Sequence, residues 1–145
     1  MRYTYYPGCS LHATGVSYDK STRAVFDKLG VELVELEDWN CCGATSYTSV
    51  KKTVAYAIAA RNLALAERIG DDVVAPCSAC YYVLNKTIKR MTDMPELHEQ
   101  VNSALAEAGL EVHDRGPQAL DPGLGEGGRL QHVGRADVEA LVAAD

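Results

Sequence analysis

Five cysteines carry the chemistry this chain is equipped for, in three groups: Cys9 alone, the adjacent pair Cys41-Cys42, and Cys77 with Cys80. The vicinal pair sets the terms. A disulfide between sequence neighbours strains the intervening peptide, so the pair is ill suited to a simple bridge. Soft thiolates select zinc, copper(I) or iron–sulfur clusters, and a single tetrahedral zinc uses four of them. A polynuclear centre can take all five, especially where one sulfur bridges two metals. Three other readings stand beside it: buried structural thiols without metal, a Cys₄ zinc site with the fifth thiol free, and a thioredoxin-like use of Cys77-x-x-Cys80 alone.

At 145 residues and 47% hydrophobic content the chain is sized for one globular domain. A net charge of −6 leaves no basic face for nucleic acid, and Lys51-Lys52 is too short to supply one. No apolar run reaches the length of a membrane span, and Met1 to Tyr6 has no signal-peptide core. An odd number of cysteines including two neighbours fits a reducing compartment. The expectation is a cytoplasmic domain.

The thiols have to be positioned by the elements between them. Tyr3 to Tyr6, ended by Pro7-Gly8, reads as a first strand, and Cys9 follows at once. A helix is predicted from Val16 to Leu29 on the spacing of Val25, Phe26 and Leu29, closed by Gly30. Val31 to Leu36 is a second strand, running through Glu37-Asp38-Trp39-Asn40 into the vicinal pair. Ser46 or Thr48 caps a long helix with the stripe Val50, Val54, Ile58, Leu65 and Ile69, stopped by Gly70. Val73 to Ala75 is a third strand, and Pro76-Cys77-Ser78-Ala79-Cys80 opens a helix to about Arg90. Asp93 and Glu96 form a capping pattern for a last helix with Leu97, Val101, Leu105 and Ala108 inward and Gly109 as its stop; a fourth strand is expected near Leu110.

Strands alternating with helices predict an α/β fold, a Rossmann-like parallel sheet of three to four strands with right-handed crossovers. Each cysteine group then falls just past the C-terminal end of a different strand, where open α/β sheets build their sites. Cys77 and Cys80 also lie in the first turn of a helix, whose amides and dipole favour thiolates. His12 reads as a solvated loop residue or a neighbour of the site. Trp39 reads as packing over the crevice, Tyr81 and Tyr82 as core and helix surface, and Glu37-Asp38 and Asp71-Asp72 as solvated strand flanks.

Tyr6-Pro7-Gly8-Cys9, Asn40-Cys41-Cys42-Gly43 and Pro76-Cys77-Ser78-Ala79-Cys80 resemble the cysteine-rich CCG domain found in the B subunit of heterodisulfide reductase and its relatives, over roughly residues 2 to 112. The resemblance implies that Cys9, Cys41, Cys42, Cys77 and Cys80 hold a noncubane [4Fe-4S] cluster, with Zn2+ as the alternative occupant. It implies that Gly8 and Gly43 let the backbone approach that cluster. It further implies a part in an oxidoreductase that cleaves a disulfide, such as the coenzyme M–coenzyme B heterodisulfide. The electrons would come from a ferredoxin-like iron–sulfur subunit, and the site would be shared with a second CCG domain or another copy of the chain. The competing reading is an interaction or electron-relay module, stabilised by zinc or a cluster and without its own substrate.

The resemblance stops before the tail. Residues 113–145 contain six glycines and no Ser, Thr, Lys, Ile, Tyr or Cys, all of which residues 1–112 use freely. This divides the chain into a CCG domain, 1–112, and an atypical Gly-rich tail, 113–145, read as a linker, a truncation or a frameshifted segment. Only Ala136 to Ala144 has a helical pattern there.

Overall fold

The computed structural model describes residues 1–44 and 47–113. The expected Ser46 cap, the helix at 136–144 and nearly all of the tail lie outside the described residues, as do the side chains of Thr48 and Val50. Strands β1 (Arg2–Tyr5), β2 (Glu32–Glu35) and β3 (Val73–Val74) form one parallel sheet in the order β2-β1-β3. In register, Tyr5 stands opposite Glu35 on one side and Val74 on the other. Helices α1 (Gly8–Leu11) and α2 (Val16–Lys28) connect β1 to β2. Helices α3 (Tyr47–Val50) and α4 (Lys52–Ile69) lead on to β3, and α5 (Ser78–Asp93) and α6 (Pro95–Ala106) follow. The chain thus leaves β1 toward one edge and returns to β3 on the other, which opens a crevice at the C-terminal end of the central strand.

The two-residue period of the strands divides the core. Tyr5 and Val74 pack with Leu11, Tyr3, Phe26 and Leu33 on one face. Tyr6, Leu36, Val73 and Ala75 join the larger cluster that α4, α5 and α6 complete on the other. Val101 and Leu105 of α6 are buried there, each worth about 2 kcal/mol in transferred area. Gly30 and Gly109, both at positive φ, end their helices as expected. The amide after each reaches back across the last turn, Val31 to the Phe26 carbonyl and Leu110 to that of Leu105, the pairing a left-handed residue makes possible.

The structure corrects several expectations. The buried side of α4 is the face of Ala55, Ala59, Leu63 and Ala66; Val54 and Ile69 are exposed and Ile58 and Leu65 half-buried. Alanines lie inward because they let α4 approach α5 and α6 closely. On α2, Val25 and Phe26 are only half-buried and Leu29 is exposed, since a three-strand sheet is too narrow to cover the whole stripe. Residue Ala108 is exposed. Asp93 does not cap α6: it ends α5 in an ion pair with Lys89, while Met94 precedes the helix and Pro95 opens it. Asp72 is buried, Asp71 pairs with Arg2, and Asp38 pairs with Arg61, so these are not free flanks.

No fourth strand forms among the described residues. Leu110 and Val112 are buried against the helices instead. The Val112 amide donates to Asn102 Oδ1 at 3.0 Å, and its carbonyl accepts from Asn102 Nδ2 at 2.9 Å. A side-chain amide on α6 has taken both groups that a ladder would have used.

Candidate metal centre

Each strand end delivers its cysteines by a different local device. After β1, Gly8 takes φ +72° and turns the chain into α1, so that Cys9 stands exposed at the mouth. After β3, Cys77 occupies the N-cap position of α5 and Cys80 lies within its first turn. The amides of that turn have no carbonyl of their own helix to bond. After β2, the loop to the vicinal pair turns at Asp38 (φ +56°) and is then pinned by α4. Asn62 accepts the Asn40 amide on Oδ1 and donates Nδ2 to the Asn40 carbonyl, both at 2.9 Å. Arg61 donates to the Asp38 carbonyl and to Asn40 Oδ1, and Asn40 Nδ2 reaches the carbonyls of Cys41 and Ile58.

These devices bring four of the five thiols into two close pairs. Cys9 Sγ lies 3.5 Å from Cys41 Sγ, and Cys42 Sγ lies 3.5 Å from Cys80 Sγ. The peptide joins Cys41 to Cys42, and Cys77 acts electrostatically on Cys80. Two thiolates sharing one tetrahedral metal at about 2.3 Å stand roughly 3.8 Å apart, so each pair is spaced to share a metal. Among the described residues no three His, Cys, Asp or Glu side chains close on a single metal point. The candidate donors are all sulfur, four of them in two close pairs, a set that fits a polynuclear thiophilic centre.

The backbone is moulded to the sulfurs. A Cβ on Gly8 would stand 2.6 Å from Cys80 Sγ and 3.7 Å from the Tyr6 ring. Gly43 differs: its φ is +81°, but a Cβ there would meet Tyr47 and Ile58 at ordinary van der Waals distances. Its need is conformational, whereas Gly8 is also constrained by space.

Burial and mutual repulsion order the thiols electrostatically. Sharing with Cys80 pulls the Cys42 thiol down to about 6 against the cost of burial, helped by the Ala44 amide. Cys80 is pushed far up by the same sharing and by burial. Burial also raises Cys41, with the Gly43 amide acting the other way.

The family of cysteine-rich CCG domains matches residues 3–85, more than half of the chain. The chain belongs to this family. The CCG domain is 36% identical over 110 residues to a heterodisulfide reductase B-subunit-like protein of Archaeoglobus profundus, covering 75% of this chain and 37% of that one. It is 33% identical to the 8-methylmenaquinol:fumarate reductase membrane anchor subunit of Wolinella succinogenes, covering 74% and 37%. Likeness to the B subunit of the ferredoxin/F(420)H(2)-dependent CoB-CoM heterodisulfide reductase of Methanosarcina acetivorans is also 33%, covering 72% and 35%. The chain thus spans little more than a third of the length of these relatives. A hypothetical protein from Helicobacter pylori shares the fold, with a TM-score of 0.69 at 20% identity over 77% of this chain and 22% of that one. No described helix of the CCG domain is long and apolar enough to cross a membrane.

Tyr6 and Asn62 shape the centre and escape a sequence reading, whereas Trp39 was expected over the crevice and His12 as a loop residue or a neighbour of the site. Tyr6 is fully buried, donates its hydroxyl to the Asn40 carbonyl at 2.7 Å, and meets Trp39 edge-on at 5.6 Å. Burial, then the surrounding thiols, keeps its phenol protonated. His12 lies half-exposed, edge-on to Trp39 at 5.1 Å and 3.2 Å from Glu35, which also holds Arg23 and the Trp39 indole N–H. Trp39 is therefore a wall fixed from two sides. Tyr81 is half-buried and Tyr82 exposed, as their helix positions suggested.

Of the missed residues, only Asn62 carried a signal, being a polar residue that interrupts an alanine-rich helix. Asn62→Leu is expected to cost about 1–3 kcal/mol by stranding the half-buried Asn40 amide. The chemical denaturation midpoint reads this directly, and a midpoint unchanged from the parent would remove Asn62 from its role.

Proposed function

We propose that this CCG domain holds a noncubane [4Fe-4S] cluster on Cys9, Cys41, Cys42, Cys77 and Cys80 and forms one half of a disulfide-reducing site. The supporting observation is the meeting of thiols from three strand ends in one sulfur-lined crevice, with Gly8 pressed against Cys80. When bound, such a cluster supplies electrons and a soft iron acceptor for a sulfur leaving group. The protein contributes the setting. The first turn of α5 offers free amides and a favourable dipole to the sulfurs of Cys77 and Cys80. Gly8 lets the backbone lie against the centre, and Tyr6 and Trp39 form a wall beside it. Cys9, the exposed member of the set, stands on the open side from which a substrate disulfide would approach.

The other half is a second CCG domain, or another copy of this one across a two-fold axis. Electrons come from a ferredoxin-like iron–sulfur subunit, in the cytoplasm. The names of the relatives support this reading, since two are B subunits of heterodisulfide reductases or resemble them. Anaerobically produced protein is expected to carry about four irons with acid-labile sulfide, and Cys41→Ser or Cys42→Ser each to impair assembly. A stoichiometric single zinc without sulfide, or tolerance of either serine, would sink the proposal in favour of the four-thiolate alternative.

The tail is proposed to be separate from this centre, as its composition gives it little to bury against the cost of ordering. Truncation after Val112 is expected to leave the iron content intact. Iron lost on truncation would place the tail within the site.

A further inference from the structure

An open groove of about 750 Å³ runs between α4, α5 and α6. It begins beside the centre without being part of it. Ala44, the residue after Gly43, and Ala79, between Cys77 and Cys80, line that end. The middle is apolar or small, with Ala55, Val83, Thr87 and Leu97. Two large apolar side chains along it are left in solvent, Tyr82 at 60% and Met94 at 46% exposure.

The charge along the groove runs against that of the chain. Lys52, Lys86 and Arg90 line it with a single carboxylate, Glu96, in a protein of net charge −6. All three cations are exposed, and among the described residues none is held in an ion pair. The Lys86 ammonium lies 5.4 Å over the Tyr82 ring. Tyr82, Lys86 and Arg90 recur every fourth residue of α5, a stripe about 12 Å long at 1.5 Å rise per residue.

We propose that this groove docks an acidic amphipathic helix of a partner protein. An apolar strip with exposed Tyr and Met, bordered by charge, has the anatomy of a protein interface. Its length and open sides suit a helix laid in a groove. A small anion would call for buried donors converging on one point; these cations are solvent-exposed and strung along a line. They match a row of carboxylates one helical turn apart. A helix seated there lies against the segment carrying Cys77 and Cys80, which places its protein next to the metal centre. Docking itself needs no metal, so its failure leaves the proposed function standing.

The test uses the full chain and a fluorescent synthetic peptide with glutamates at every fourth position on one helical face and leucines on the other. Anisotropy is expected to show saturable binding that weakens at least about tenfold for the double variant Lys86→Glu/Arg90→Glu. Binding is also expected to fall for Tyr82→Ala and with rising salt. Lys20→Glu/Lys28→Glu, on α2 across the sheet, should leave it unchanged. Absence of saturable binding, equal affinity for a scrambled peptide of the same composition, or indifference to the Lys86/Arg90 reversal would each overturn the proposal. Displacement of the peptide by millimolar inorganic phosphate would do so in favour of a small-anion site. Self-association abolished by the same reversal would instead assign the groove to a second copy.

Discussion

Gly8→Ala is expected to prevent assembly of the metal centre while leaving a folded domain. Two penalties coincide at this position. An L-residue at φ +72° costs about 1–2 kcal/mol in the left-handed region. The added Cβ also falls 2.6 Å from Cys80 Sγ, and moving that sulfur disturbs its 3.5 Å approach to Cys42. Gly30→Ala separates the two effects, because its φ is +67° and nothing lies within 4 Å of the new methyl. The comparison is made on the parent and both variants, by thermal unfolding and by iron content after anaerobic production. Gly30→Ala should lose stability and keep its iron; Gly8→Ala should lose both. Full iron in Gly8→Ala would mean that the backbone at this turn does not shape the site.

The second large effect is a missing one. Loaded with its cluster, the isolated chain is expected not to turn over a disulfide. Cleaving one disulfide takes two electrons and yields two thiolates, and the described crevice offers one wall. Misplacing reacting groups by about an ångström already costs on the order of a hundredfold, and here the second sulfur has nothing to place it. Reduction of a mixed disulfide is measured with a low-potential dye on monomer isolated by size exclusion, then again after adding a chain that carries a second CCG domain. Robust turnover by the monomer alone would refute the half-site reading.

How much of this was legible in the sequence follows from how local each cause is. The three strands and the cysteines at their ends could be read because a short β-rich run, a break and a thiol are adjacent in the chain. The helix stops at Gly30, Gly70 and Gly109 were legible for the same reason, all three being at positive φ. The inward face of α4 was not, since alanine carries little hydrophobic signal and the larger Val54 and Ile69 mark the wrong side. The fourth strand failed because the partner of Val112 is a side chain on α6, which no local pattern reveals. At the centre, the thiols were visible by type and Trp39 by its place just before the vicinal pair, while the roles of Tyr6 and Asn62 depend on contacts between distant segments.

The paired bonds between Asn62 and Asn40 have a consequence for the order of events in maturation. A loop whose only anchor is its metal must be folded by that metal, and part of the binding free energy is then consumed in ordering the chain. Here the segment leading to Cys41 and Cys42 is fastened to the body of a long helix by groups that bind no metal. For the proposed centre, such fastening would leave more of the binding affinity available for retention.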